Sequence, residues 1–166
     1  MPDVVVRRAT PDEQPLVARL WQLDRHDLSQ YRGSTPGPDG LFRPEVVATF
    51  FTDPGREAWI IEADGDLAGF CVTRQRDDGS RSVFAFFVLR ARRRRGIGRL
   101  AALALLAAEP GPWAIAFQEV NAGAAAFWRG IATEVAGGSW REEHESVPDR
   151  AMAETWIRLD TSALRV

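Results

Sequence analysis

The chain contains no lysine, so all 21 of its basic residues are arginine and no side chain carries an amine. Cysteine occurs once, at Cys71, which excludes an intramolecular disulfide and a cysteine-built metal cluster. Cys71 lies in the apolar run Leu67–Val72, the setting of a buried structural thiol rather than of a nucleophile. No apolar run reaches the length that spans a bilayer, and the N-terminus has no signal-peptide pattern. A cytoplasmic protein with no membrane partner is expected. The formal net charge of -2 removes any overall attraction to nucleic acid. The positive charge is nonetheless concentrated, with Arg90, Arg92, Arg93, Arg94, Arg95 and Arg99 inside ten residues.

What is present is ordinary for a globular chain: 166 residues, 45% apolar and 27% charged. One domain over residues 1–166 is expected, large enough to bury a core. Val4–Arg8 reads as a first strand. Thr10-Pro11-Asp12-Glu13 is a helix start, and Leu16, Leu20 and Leu23 follow at helical spacing. Ser29 to Gly40 reads as a loop, followed by a short helix over Pro44–Thr52. Glu57–Ala63 and Leu67–Arg76 flank the hairpin turn Asp64-Gly65. A second turn at Asp77–Ser80 leads to the unbroken apolar run Val83–Leu89, which predicts a strand central in its sheet.

Gly96–Glu109 is nearly all apolar and reads as a buried helix, and a strand carrying Trp113, Ile115 and Phe117 comes next. Strand, helix and strand with short connections imply a right-handed crossover and a parallel pair. Asn121 is placed to cap a helix running to about Trp128, with late strands near Glu134–Glu143 and Glu154–Asp160. The expected fold is mixed α/β: a mostly antiparallel sheet with one parallel strand–helix–strand unit. Ligands bind beyond the carboxyl ends of such parallel strands, and here that is the loop Arg90–Arg95.

The run Arg93-Arg94-Arg95-Gly96-Ile97-Gly98 joins three features that suit a diphosphate. A helix N-terminus offers unpaired N–H donors and partial positive charge. Glycines let phosphate approach the backbone, and arginines add charged donor forks. This run resembles motif A of the GNAT acetyltransferase superfamily, Arg/Gln-x-x-Gly-x-Gly/Ala, with Arg93, Gly96 and Gly98 at the matching positions. Asn121-Ala122-Gly123-Ala124-Ala125-Ala126-Phe127-Trp128 resembles its motif B, and the order of elements agrees from Val4 to Asp160. Phe86–Arg90 and His26–Tyr31 look like a poorly characterised bacterial branch of that superfamily.

The resemblance implies an N-acetyltransferase that uses acetyl-CoA and no metal. It implies that Arg93, Arg94, Arg95, Gly96, Ile97, Gly98 and Arg99 surround the pyrophosphate. It places Phe87, Val88 and Leu89 beside the pantetheine and acyl carbonyl, and Asn121, Phe127 and Trp128 along the cofactor. The acceptor would be an amine on a small molecule, a peptide N-terminus or a lysine. Many members of the family form homodimers; no feature of this sequence decides that state.

Direct attack of an amine on a thioester needs a proton acceptor, an oxyanion donor and an exit for the thiolate. Glu119, at the expected end of the second parallel strand, is the first candidate base, and His26 the second. Where the family often has a tyrosine acid, this chain has Trp128; Tyr31, in the expected loop, is the alternative acid. A strand Glu used by some relatives is Ala85 here. These departures motivate a second reading, a CoA-binding sensor. Two others are weighed. Gly96–Ala101 fits the dinucleotide fingerprint with Glu119 downstream, but six residues separate Leu89 from Gly96 and hairpins precede the unit. A basic loop alone would suit nucleic acid, but its place between a central strand and a helix start argues otherwise.

Overall fold

The computed structural model describes residues 1–145 and 154–164. Its strands are β1 (Val4–Arg8), β2 (Arg56–Ala63), β3 (Asp66–Gln75), β4 (Arg81–Val88), β5 (Pro112–Phe117), β6 (Arg141–Glu145) and β7 (Glu154–Asp160). They form one seven-stranded sheet in the order β1-β2-β3-β4-β5-β7-β6. The β1–β2, β2–β3, β5–β7 and β6–β7 pairs are antiparallel, and β4 pairs with β5 in parallel. The helices are α1 (Gln14–Arg32), α2 (Val46–Thr52), α3 (Ile97–Ala108) and α4 (Ala122–Ala136). This is the mixed, mostly antiparallel sheet with a parallel β4-α3-β5 unit that the sequence predicts. Among the described residues no helix is long and apolar enough to cross a membrane.

Two compact units make up the chain, residues 1–74 with 84–97, and residues 75–83 with 98–166. In the first, α1 turns Val17, Leu20 and Trp21 inward at the i, i+3, i+4 spacing of a helix face. They share a core with Phe50 of α2, Ile60 of β2, Phe70 of β3 and Phe87 of β4. Trp21 stacks on Phe84 at 6.2 Å and meets Phe50 edge-on at 5.4 Å. The β2–β3 hairpin turns through Asp64 and Gly65, both at positive φ, which matches the right-handed twist of its strands.

Gly69 of β3 faces the Phe87 carbonyl of β4. A Cβ there would lie 2.0 Å from the Phe87 carbonyl oxygen, so only glycine fits. In the second unit, α4 packs on β5 and β7 and buries Ala125, Trp128, Ile131 and Ala132.

Several boundaries differ from the sequence reading. α1 continues through Ser29–Arg32, which composition alone assigns to a loop, and stops at Gly33, whose N–H bonds the Ser29 carbonyl at 2.8 Å. Tyr31 is therefore on a helix. α4 continues eight residues past Trp128 to Ala136, because Ile131 and Ala132 extend its buried face, and β6 begins only at Arg141. β5 ends at Phe117, which leaves Glu119 in the turn before α4.

Candidate active site

Strand β4 ends in a short 3-10 turn, Arg90–Arg92, followed by the arginine–glycine loop and the start of α3 at Ile97. Arg94 has φ +60 and Gly96 φ +79, so the loop makes two left-handed steps before the helix begins. Arg94, Arg95 and Gly96 are exposed, and Ile97 is buried beneath them as the anchor of the helix start. That arrangement fits a diphosphate: exposed guanidinium groups, a backbone held open at glycine, and the positive end of a twelve-residue helix.

Of the six loop arginines, four are engaged inside the protein. Arg90 donates through Nε (3.1 Å) and Nη2 (2.6 Å) to Asp27 Oδ1. Arg93 donates through Nη2 to Asp27 Oδ2 at 2.5 Å and through Nε to the Val88 carbonyl at 2.7 Å. Its guanidinium lies 5.5 Å from the Phe87 ring centre. Arg92 binds Asp66 at 2.7 Å, and Arg99 pairs with Glu134. Arg93, the side chain expected to meet phosphate most directly, is thus turned back onto β4 and α1. Arg94 and Arg95 are the two that project. Burial would raise the Asp27 carboxyl, but the hydrogen bonds from Arg90 and Arg93 outweigh it and hold the group below the ordinary aspartate range.

The backbone of β4 separates the three residues expected beside the acyl group. Leu89 N–H bonds the Ala68 carbonyl at 2.8 Å, so it is not available to a ligand. The Phe87 carbonyl lies against Gly69 on the same side. Successive residues of a strand present their N–H and C=O to opposite edges. Val88 alone of the three therefore faces away from β3, and Arg93 takes its carbonyl.

Helix α1 carries the other candidates of this unit. His26 is exposed, with its ring 6.4 Å from Phe42. Tyr31 is half-buried in the last turn, on the stripe that carries Asp24 and Asp27. Neither aspartate was singled out as a site residue from the sequence. Their signal was the acidic i, i+3 spacing on the inward face of α1, which hydrophobic periodicity alone does not reveal.

A second group lies in the other unit. Asn121 caps α4 by accepting from the Ala124 N–H at 3.1 Å. Trp128 is buried against Phe127 at 4.8 Å and so belongs to the α4 core. Glu119 binds Arg129 through both oxygens, at 3.2 and 2.5 Å, and accepts from Thr155 at 3.1 Å. The Arg129 contact chiefly pulls its carboxyl below the ordinary glutamate range. Thr155 Oγ1 also lies 3.3 Å from His144 Nδ1. In sequence His144 is only one residue of a charged stretch; its approach to Thr155 follows from the β6–β7 register.

Comparison with known proteins bears on the family and the fold. Residues 18–131 match the model of the acetyltransferase (GNAT) family. The chain belongs to the acetyltransferase (GNAT) family. No curated protein matches it in sequence.

An acetyltransferase from Thermus thermophilus superposes with a TM-score of 0.68 at 18% identity, over 95% of this chain and 96% of that one. Diaminobutyrate acetyltransferase from Paenibacillus lautus, solved with L-2,4-diaminobutyric acid and coenzyme A, superposes at 0.67 with 17% identity, over 100% and 99%. The ribosomal-protein-S18-alanine N-acetyltransferase from Escherichia coli gives 0.63 at 14% identity, over 96% and 95%. At these identities the likeness concerns the fold. The antiparallel hairpins before β4 also set the chain apart from a doubly wound dinucleotide fold.

Proposed function

We propose that this protein is an acetyl-CoA-dependent N-acetyltransferase acting on a primary amine. The observation that carries the reading is the end of β4. Val88 turns its N–H away from β3, and two residues further the chain enters a loop that leads, through Arg94, Arg95 and Gly96, into the N-terminus of α3. In this reading Arg94, Arg95 and the backbone from Gly96 to Gly98 hold the pyrophosphate. The Val88 N–H supports the oxygen that becomes negative when the thioester is attacked. Tyr31 is the proton donor to the departing thiolate, which at an ordinary thiol pKa of about 8.5 needs little help to leave.

Glu119 would serve as base only after leaving Arg129, and His26 is the exposed alternative. Chain-wide, the domain over residues 1–166, the cytoplasmic location and a homodimer belong to the same reading.

Isothermal titration with acetyl-CoA at two salt concentrations tests it. One micromolar site per chain that persists at the higher salt, followed by acetylation of a member of an amine panel, is the expected result. Absence of CoA binding would overturn the reading. The second reading, a CoA-binding sensor, is favoured by the Arg129 lock on Glu119 and the burial of Trp128. It predicts the same titration with no turnover on any amine.

A further inference from the structure

Asp24 is the feature of α1 that its packing does not explain. It occupies the position one turn beyond Trp21 on the helix face that buries Val17, Leu20 and Trp21, and it is 4% exposed. An apolar side chain would continue that face. Burying a carboxylate there costs several kcal/mol of desolvation, which an ion pair offsets only when all its lone pairs are met.

Among the described residues they are not all met. Arg25 is the neighbour that pairs with it, and i, i+1 side chains do not face each other on a helix. The guanidinium reaches back across the Trp21 ring, 4.1 Å from its centre, and both its donors land on Oδ2, at 3.0 and 2.5 Å. Oδ1 accepts no hydrogen bond from a described residue, since both Arg25 donors go to Oδ2.

The position of this oxygen is bracketed. On one side, Trp21 stacks on Phe84 of β4. On the other, Asp27 holds Arg93, which in turn holds the Val88 carbonyl. Helix α1 thus runs alongside β4 in the same direction, and Asp24, midway between those contacts, lies over the second half of that strand. Burial raises its carboxyl above the ordinary aspartate range, with Asp27 acting the same way and the charges of Arg25 and Arg32 opposing.

We infer that Asp24 is the acceptor-side carboxylate, whose Oδ1 receives the ammonium group of the primary amine and takes its proton. This rests on the acetyltransferase reading above. The ammonium gives one proton to Oδ1. The freed lone pair forms the C–N bond to the thioester carbonyl carbon, the C–S bond breaks, and its electron pair leaves with sulfur. Tyr31 gives its proton to the thiolate and regains one from the attacking nitrogen, leaving the amide and the free thiol.

The test works whichever amine is the natural acceptor. Two CoA thioethers serve as probes: S-(3-aminopropyl)-CoA, which carries an ammonium beyond the sulfur, and S-butyl-CoA, which has a methyl group in its place. The intact protein is expected to bind the ammonium probe about tenfold more tightly or better, the effect of one charge-assisted contact. Asp24→Asn is expected to remove that preference while its affinity for CoA itself stays within about twofold, which also certifies its fold. Asp24→Glu, which keeps the charge and displaces it, should retain part of the preference.

Equal affinity of the wild-type protein for the two probes, or an ammonium preference that survives in Asp24→Asn, overturns the inference. Should Asp24→Asn fail to fold, the wild-type comparison and Asp24→Glu still decide, since an undiminished preference in Asp24→Glu would also overturn it. Failure of both probes and of CoA to bind would instead overturn the acetyltransferase reading.

Discussion

Arg93 donates its Nε–H to the carbonyl of Val88 at 2.7 Å, five residues back along its own chain. The contact closes the end of β4 against the loop that follows, and the second arm of the same guanidinium reaches Asp27 on α1. A residue whose spacing suggests a phosphate ligand thus also ties the end of β4 to α1. Arg93→Ala is expected to lower stability by about 1–2 kcal/mol, because the Val88 carbonyl loses its partner. Its CoA affinity should fall as well, as the loop loosens. Arg93→Lys should not rescue it, since a lysine cannot serve two acceptors in a fixed fork. Thermal melts and CoA titration on the two variants check both statements.

Arg94 and Arg95 behave differently in this account. They are exposed on the loop. Arg94→Ala and Arg95→Ala should each weaken CoA binding by about 1–3 kcal/mol while leaving the melting temperature almost unchanged. An unchanged dissociation constant in both would remove the loop from the cofactor site.

The Asp27 clamp has a definite pH signature. Its carboxyl titrates below the ordinary value near 4, so in the unfolded chain it binds protons more readily. The stabilisation is complete above that ordinary value and is lost as the pH falls through the folded-state value. Amide hydrogen exchange across residues 89–97 should therefore quicken, relative to the remainder of the chain, as the solution is acidified below about pH 4. Asp27→Asn should show the faster exchange already at neutral pH. Exchange in that variant matching the wild type would mean that Arg90 and Arg93 hold the loop without Asp27.

Glu119→Gln separates two candidate proton acceptors. If Glu119 takes the proton, turnover should fall by about 10²-fold or more with no change in CoA affinity. If the amine proton goes to Asp24, Glu119→Gln should retain most of the activity. The variant keeps one donor and one acceptor for Arg129 and Thr155 to meet, so the local fold is expected to survive. Steady-state rates across pH 6 to 9 distinguish these outcomes.

Gly69→Ala tests the packing beneath the site. The new methyl would lie 2.0 Å from the Phe87 oxygen and 3.1 Å from the Val88 Cα, both of them backbone. No side chain can give way, so β3 and β4 must part. A loss of about 3 kcal/mol or more is expected from this overpacking. Denaturant unfolding measures it, and a neutral result would show that the two strands separate easily.

The sequence by itself determined the elements with strong local signals. The unbroken run Val83–Leu89, the alanine–leucine helix from Gly96 and the turn Asp64-Gly65 each carry their period or their turn chemistry in consecutive residues. The glycine–arginine loop was legible for the same reason, since its chemistry is contiguous. Helix ends were less so. Ser29–Arg32 lack an apolar signal and are helical because α1 is already nucleated and has a stop at Gly33.

Tertiary structure decided what no local pattern contains: which arginine faces outward and which inward, that Asp27 meets Arg90 and Arg93 across more than sixty residues, and that Asp24 is buried with Arg25 on only one of its oxygens. Arginine side chains are long and reach any acceptor that packing brings near them. Their roles are therefore set by the placement of α1 along β4, which depends on contacts distant in sequence.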